Sequence, residues 1–185
     1  MCVMRALVCV FGVVMATASH ADEVRYTTDE YGNPTIWQED NVPLPPFPEG
    51  QNLVRVSAPI GGGRNQYFVD RASIAPGKDR VVRYTVVVRS PSGVQNVMHE
   101  GLACDVREVK TYAYGNSQRE FKALSRPSWG PLTHRGVKGY QGVLADRFLC
   151  DESRSYSDRD WILDRLDTAE SQAEDDIGVS GNDDD

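Results

Sequence analysis

The stretch that decides the fold is DRVVRYTVVVRSPSGVQNVMHEGLAC, residues 79–104. Its first half alternates between an apolar and a mixed set of side chains, which is the two-residue period of a β-strand. The apolar set consists of Val82, Tyr84, Val86 and Val88. Residues 90–93 supply turn residues, and a second β-like run follows them. Residues 80–104 therefore predict an antiparallel hairpin.

Further β-like segments flank this hairpin on both sides. A short apolar run at residues 53–56 and the sequence NQYFVD at 65–70 precede it, and REVKTYAYG at 107–115 follows it. All are rich in the β-branched and aromatic residues that strands favour. Successive strands of this kind predict an antiparallel sheet.

Helical spacing begins late in the chain. In YQGVLADRFLC, residues 140–150, the apolar positions at helical spacing are Tyr140, Val143, Leu144 and Phe148. A second helix is predicted from Ser157, which forms a capping-box-like signal with Asp160 before Trp161. Its apolar face consists of Ile162, Leu166, Ala169 and Ala173. We predict an α+β fold in which a C-terminal helix packs on one face of the antiparallel sheet.

The first 21 residues have the pattern of a secretory signal peptide. Arg5 gives a positive start, residues 6–18 form a mostly apolar run, and Ala21 ends the small-residue cleavage signal. The apolar run is shorter than the roughly 20 residues needed to cross a bilayer, which favours cleavage after Ala21 over retention as an anchor. We therefore expect an exported, periplasmic protein with no stable membrane span after cleavage.

Proline dominates the segment that follows. Residues 22–50 include NVPLPPFPEG, whose four prolines favour extended polyproline geometry. This N-terminal arm could be a ligand for an aromatic groove on another protein, but we favour a stiff segment packed across its own domain through Trp37, Leu44 and Phe47. We place the globular domain at residues 51–150 and a linker with a short helix at 151–173.

Two cysteines remain after signal cleavage, Cys104 and Cys150. In a strand, His99 and Cys104 would lie about 16 Å apart on opposite faces, so they cannot form a nucleophile and base pair. A site that joins Cys104 to His134 from a distance is a less favoured alternative. Because a lone cysteine pair in an oxidising compartment usually bridges, we predict a disulfide between Cys104 and Cys150.

Charge is distributed unevenly along the chain. Residues 162–185 hold nine acidic and one basic side chain, while residues 22–161 hold eighteen of each sign. A globular part without net charge and an acidic tail provide no basic patch that could bind a phosphate backbone. We therefore reject nucleic acid as a partner. Residues 174–185 are too polar to bury a face and are expected to be disordered.

Chemistry-bearing motifs are few. The spacing of cysteines and histidines fits no metal site, no serine has a nucleophile-elbow context, and no cofactor is predicted. The triple glycine at 61–63 lacks a following helix, so a hairpin loop is favoured over a phosphate cradle. Polar side chains on neighbouring strands could cluster on one sheet face and bind a ligand. These candidate binding residues are Arg83, Tyr84, Arg89, Glu100, Arg107 and Tyr112.

The segments VVRYTVVVRSPSG and EGLACDVREVKTYAYG, followed by GYQGVLADRFLC, resemble the CNP1-like family of small exported proteobacterial proteins. The resemblance covers about residues 36–150 and includes a tryptophan at Trp129. It implies a signal-bearing, single-domain protein and no catalytic residue set. Its motif positions in this chain are Arg83, Tyr84, Ser92, Gly93, Glu100, Gly101, Cys104 and Tyr112.

The function that these patterns favour is a non-catalytic binding or interaction module of the cell envelope, whose partner is an unidentified envelope protein or polymer. One alternative is a small envelope-acting hydrolase with Glu100 or His134 as acid or base, which requires both residues and an arginine in one cleft. A passive structural role is a third possibility. We also expect a turn or bulge at Gly101, with Glu100 held by an arginine.

Overall fold

The computed structural model describes residues 26–28, 32–58, 64–151 and 158–178. The chain divides into two compact units, Met1–Trp37 and Gln38–Asp185. In the first unit, β1 (Tyr26–Thr28) pairs antiparallel with β2 (Pro34–Ile36). The predicted signal peptide, the triple glycine and the last seven residues of the acidic tail lie outside the described residues.

The second unit is built on an open antiparallel sheet of seven strands. The strands are β3 (Leu53–Val56), β4 (Gln66–Pro76), β5 (Val81–Arg89), β6 (Gln95–Ala103), β7 (Glu108–Gly115), β8 (Phe121–Ala123) and β9 (Gly130–Pro131). β3 to β8 are neighbours in chain order, and β9 pairs with β7. The predicted hairpin is confirmed as β5 and β6, which pair without a break from Val81 opposite Ala103 to Arg89 opposite Gln95.

Helical segments cover one face of this sheet. α1 (Tyr140–Leu144) continues directly into a π-helical turn (Ala145–Leu149), and α2 spans Arg159–Gly178. The apolar set of β5 points toward these segments and forms the centre of a dry core. Its fully buried members include Val54, Val69, Val82, Tyr84, Val86, Leu102, Leu144, Leu149, Ile162 and Leu166. The predicted α+β arrangement, an antiparallel sheet with a C-terminal helix on one face, is confirmed.

α2 begins two residues later than the sequence predicts. The carboxylate of Asp158 accepts a hydrogen bond from the backbone N–H of Trp161 at 2.8 Å, so Asp158 is the N-cap. Ser157 lies outside the described residues. The helix contacts β3 and β4 and continues to Gly178, past the predicted boundary at residue 173. α2 is therefore part of the compact unit, and the acidic segment begins as a helix.

The predicted disulfide is present between Cys104 and Cys150, whose Cα atoms are 5.7 Å apart. Cys104 follows the end of β6 and Cys150 follows the π-helical turn, so the bridge fixes the helical layer to the sheet. Both cysteines belong to the helix-side core. His99 lies on the opposite face of β6, as the strand period requires.

Residues 38–48 of the arm have no regular secondary structure and cross the other face of the sheet. The Phe47 and Phe121 ring centroids are 5.4 Å apart, and Arg119 donates to the carbonyl of Pro48 at 3.1 Å. Because the arm covers one face and the helices the other, residues 81–88 of β5 are all buried. Within the described residues, none of the helices combines the length and the hydropathy that a membrane crossing needs.

Candidate functional site

A groove of about 370 Å³ lies between the arm and the sheet face opposite the helices. Arm residues 39–42 and 44 form one wall. The floor is formed by strand side chains that lie on the face of the sheet opposite the helix-side core, namely Arg83, His99, Lys110 and Tyr112. Ala123, Leu124 and Pro127 close the far side. The groove therefore combines charged, aromatic and apolar groups from three separate parts of the chain.

The carboxylate of Glu39 is bound by donors from the sheet and from the loop before β9. Lys110 Nζ lies 2.8 Å from Oε2, Trp129 Nε1 donates to Oε2 at 3.0 Å, and Tyr112 Oη donates to Oε1 at 2.7 Å. Arg83 Nη2 lies 3.9 Å from Oε1. Burial raises the pKa of Glu39, but the three hydrogen bonds outweigh it and hold the pKa below its ordinary value. These donors form a socket for a carboxylate, and the arm occupies it.

A buried ion pair holds the arm at Asp40. Arg83 donates through Nη1 and Nη2 to the carboxylate of Asp79 at 3.1 and 2.6 Å, and both side chains are almost fully buried. Arg83 also donates to the carbonyl of Asp40, whose N–H donates to Asp79. Burial opposes the charge of Asp79, but the hydrogen bonds and the charge of Arg83 lower its pKa below the ordinary value. The pair therefore stays charged and binds the arm backbone at both of its polar groups.

His99 is a neutral histidine in the groove floor. Its Nδ1 lies 3.1 Å from Thr85 Oγ1, and its ring packs against Tyr112 and Phe121. Burial, together with the positive charge of Arg83, lowers the pKa of His99 to about 4. At neutral pH the ring is uncharged and behaves as a polar aromatic surface.

A β-bulge brings Tyr112 into the groove. β6 and β7 pair His99 with Ala113 and Glu100 with Thr111, so Tyr112 has no partner in the ladder. A Cβ atom on Gly101 would lie 2.5 Å from Tyr112 Oη, which means that only glycine leaves room for this ring. The irregularity expected at Gly101 therefore exists, but the extra residue is on the facing strand. Its effect is to aim the phenol of Tyr112 at the arm.

Glu100 lies on the helix face and is not held by an arginine, so that expectation is wrong. Four side chains donate to its carboxylate, at distances between 2.8 and 3.2 Å: Tyr84, Thr111, Tyr140 and Gln141. Complete burial raises its pKa more than these hydrogen bonds lower it. The reason for the error is the register, because β5 pairs Arg83 with Gly101 and Tyr84 with Glu100. Adjacent positions on a strand point to opposite faces.

The six predicted binding residues do not form one cluster on one face. Arg83 and Tyr112 line the groove, whereas Tyr84 and Glu100 belong to the buried cluster beneath α1. Arg89 stacks on Phe68 at 4.7 Å, at the end of β5. Arg107 pairs with Asp146 at 2.7 Å, and Asp146 also binds Nε2 of His134 at 2.6 Å. Glu100 and His134 thus have separate partners, and the donors to Glu100 include no arginine.

Several residues that line the groove or bind the arm were not predicted from the sequence. Glu39 and Asp79 lie outside strands, where single carboxylates are ordinary surface residues. Lys110 could have been found, because it is two residues from Tyr112 on the same strand and alternation would place both on one face. The resemblance predicts a tryptophan at position 129 but does not predict its hydrogen bond to Glu39. Within the described ranges, no group of three or more His, Cys, Asp or Glu side chains could hold a metal ion.

Comparison with known proteins gives one match. The model of the CNP1-like family matches residues 33–167, which include every residue of the groove and extend into α2. No curated protein and no solved structure matches the chain significantly. The matched segment is longer than residues 36–150, to which the sequence resemblance extends.

Proposed function

The chain belongs to the CNP1-like family, and we propose that it is a periplasmic, non-catalytic binding module of the cell envelope whose partner occupies the groove beneath the proline-rich arm. The partner class is an envelope protein or polymer. The observation that carries the proposal is the socket around Glu39, in which Lys110, Tyr112 and Trp129 converge on one carboxylate. An acidic group of a partner that displaces the Glu39 carboxylate would meet the same donors.

The composition of the groove supports recognition. Its rim contains apolar side chains that are more than a third exposed, namely Val42, Leu44 and Leu124. Its floor contains the charged and aromatic groups described above. A concave surface with apolar walls and a few convergent polar groups is the usual form of a binding site. The cavity volume of about 370 Å³ suits a side chain or a short segment of a partner.

The hydrolase alternative depended on a cleft shared by Glu100, an arginine and His134. Glu100 is instead enclosed beneath α1, with its carboxylate bound by Tyr84, Thr111, Tyr140 and Gln141, and His134 pairs with Asp146 at the surface. Neither arrangement presents an acid and a base to one substrate. These contacts favour the binding role over the hydrolase.

Export is part of the proposal, and its support is the N-terminal signal pattern together with a disulfide that fixes the core. Cell fractionation followed by N-terminal sequencing tests it. We expect a periplasmic chain that begins after Ala21 and contains no free thiol. A cytoplasmic chain with an intact N-terminus would contradict export.

Site-specific photo-crosslinking in living cells tests the binding role. A benzophenone amino acid replaces Val42 at the groove rim in one variant and Val94 in the turn between β5 and β6 in the other. Both valines are exposed, by 42% and 58%, so the two variants are matched in access to solvent. We expect a discrete adduct with envelope material from position 42 and none from position 94.

The proposal also predicts which contact the adduct needs. Replacing Lys110 with Met removes one cation from the socket and keeps the length of the side chain, so the position 42 adduct should weaken. Lys122→Met, in an exposed pair with Glu120 outside the groove, should leave it unchanged. Equal labelling from both valine positions would count against the groove as the binding site. The same conclusion would follow if Lys110→Met left the yield of the position 42 adduct unchanged.

A further inference from the structure

A second cavity, of about 310 Å³, lies on the other face of β7 from the groove. Thr111 and Tyr114 of β7, Gln141 of α1 and the segment around Trp129 line it. Thr111 contacts Glu100 on the helix face, whereas Lys110 contacts Glu39 on the arm face, so β7 separates the two spaces. The second cavity therefore lies on the other side of β7 from the groove, although Leu124 lines both spaces and Trp129 in its wall is bound to Glu39 of the arm.

Gln141 is one of the residues that line this cavity, and its side chain has an unused hydrogen-bond acceptor. The residue is 1% exposed, and its Nε2 donates to the carboxylate of Glu100 at 2.8 Å. This bond fixes the amide, because only the nitrogen end can donate to a carboxylate. Its Oε1 is buried and has no hydrogen-bond partner among the described residues. A buried carbonyl oxygen without a donor costs about 1–3 kcal/mol, so a ligand hydroxyl or N–H here recovers that cost.

The charge of the lining is entirely positive. Arg126 and Lys138 line the cavity, both are exposed, and neither forms an ion pair within the described part of the chain. None of the residues that line the cavity is acidic. The nearby carboxylate of Glu100 does not line it and is bound by Thr111 and Gln141. Two cations without a carboxylate favour an anionic ligand.

Aromatic and apolar groups complete the lining. Trp129 and Tyr114 contribute rings, and Val109, Leu124 and Pro131 contribute aliphatic surface. The Trp129 indole is fixed by its hydrogen bond to Glu39, so the ring is a rigid wall. Rigid aromatic surface beside hydrogen-bonding groups suits the flat C–H face of a sugar ring. The volume, at the lower end of the range for small-molecule sites, fits one or two rings.

We propose that this cavity is a second binding site, specific for a hydroxylated ring with a negative charge, of which a uronic acid unit is the simplest example. A ring hydroxyl donates to Gln141 Oε1, the ring lies against Trp129 and Tyr114, and the carboxylate faces Arg126 and Lys138. This site goes beyond the function proposed for the groove and does not depend on it.

Nitrogen–proton correlation spectra of the isotope-labelled, disulfide-intact chain test the site with three probes. D-glucuronate has a ring, hydroxyl groups and a negative charge. D-glucose has the ring and the hydroxyl groups but no charge, and cyclohexanecarboxylate has a ring and the charge but no hydroxyl groups. We expect glucuronate to shift the side-chain amide of Gln141 in a saturable manner and to leave the signals of the groove residues Lys110 and Tyr112 unchanged. Each of the other probes should bind about fivefold to tenfold more weakly, as loss of one set of polar contacts predicts.

Paired surface variants keep the test independent of folding. Arg126→Ala with Lys138→Ala should weaken glucuronate binding about fivefold to tenfold, from two exposed charge contacts. Lys122→Ala with Arg135→Ala removes the same charge from exposed positions outside the cavity and should leave the affinity unchanged. Gln141→Leu should abolish the selectivity for glucuronate over cyclohexanecarboxylate. If it does not fold, the two double variants still decide the question.

Four results would overturn the site. These are the absence of any saturable shift, equal affinity for all three probes, equal weakening in both double variants, and shifts confined to the groove residues Lys110 and Tyr112. The last result would also support the groove as the ligand site. A result that refutes binding in the second cavity does not change the outcome of the crosslinking test of the groove. The two proposals can therefore be refuted separately.

Discussion

His99 should make the protein less stable as the pH falls from neutral. Its pKa is about 4 in the folded chain, against an ordinary value of 6.5. Between these values the unfolded chain binds a proton that the folded chain does not, so the free energy of unfolding decreases as the pH falls. The loss begins near pH 6.5 and is complete below pH 4.

The size of the effect follows from the shift. Each unit of pKa difference is worth 1.36 kcal/mol, so the whole shift of His99 corresponds to about 3 kcal/mol. At pH 5 most of that loss has already occurred, and linkage gives about 2 kcal/mol relative to pH 8. A loss of this size is a large fraction of the stability of a single domain.

The assay is urea unfolding, followed by tryptophan fluorescence across this pH range, for the natural chain and for His99→Gln. Glutamine keeps a polar contact for Thr85 and cannot be protonated. Glu39, Asp79 and Glu100 also titrate with shifted pKa values, but they are present in both chains and cancel in the comparison. We expect the natural chain to lose about 2 kcal/mol more than the variant between pH 8 and pH 5.

A matched control is available in His134, which is half exposed and bound to Asp146. His134→Gln removes a histidine from the protein surface and leaves His99 in place. If His99→Gln and the natural chain have parallel stability curves, the burial and the neighbouring charge of Arg83 do not act on His99 as the structure indicates. The reasoning is also refuted if only His134→Gln flattens the curve.

Three other changes should have measurable effects on urea unfolding. Arg83→Met leaves the carboxylate of Asp79 buried without its cation and should cost about 3–5 kcal/mol, and a loss below 1 kcal/mol would contradict the burial of the pair. Replacing both bridged cysteines with serine opens a loop of 46 residues and should cost about 4 kcal/mol, and a loss below about 1 kcal/mol would contradict a stabilising bridge. Gly101→Ala should cost about 1–3 kcal/mol by displacing Tyr112, whereas Gly50→Ala, with no atom near the added Cβ, should change stability by less than about 0.5 kcal/mol.

The strands could be predicted because their signal is local. Alternation along residues 81–89 and the turn residues that follow are sufficient for β5, β6 and the connection between them. The disulfide was predictable for a different reason, since only two cysteines lie outside the predicted signal peptide. α2 was predicted from the spacing of Ile162 and Leu166, but a capping box pointed to Ser157 where Asp158 is the cap. A carboxylate at the helix start is favoured by the same backbone N–H groups and by the helix dipole.

The site was less predictable, because it depends on register and on distant contacts. The expected arginine partner of Glu100 is absent, because β5 places Tyr84 opposite Glu100 and Arg83 one residue away, and a shift of one residue moves a side chain to the other face of the sheet. The contacts of Glu39 lie 71, 73 and 90 residues away in sequence. No periodicity encodes such contacts, so the socket becomes visible only when the arm is placed on the sheet.

The charges beneath the arm are better explained by positioning than by stability. A buried ion pair such as Arg83 with Asp79 often contributes no more than well-packed apolar side chains of the same volume. An apolar patch would also hold a proline-rich segment, but it would not fix which residue of the arm lies over which strand. The pair instead binds the N–H and the carbonyl of Asp40, and the socket binds the carboxylate of Glu39 next to it. Two consecutive residues are therefore held by directional contacts, which fix the position of the arm over the sheet.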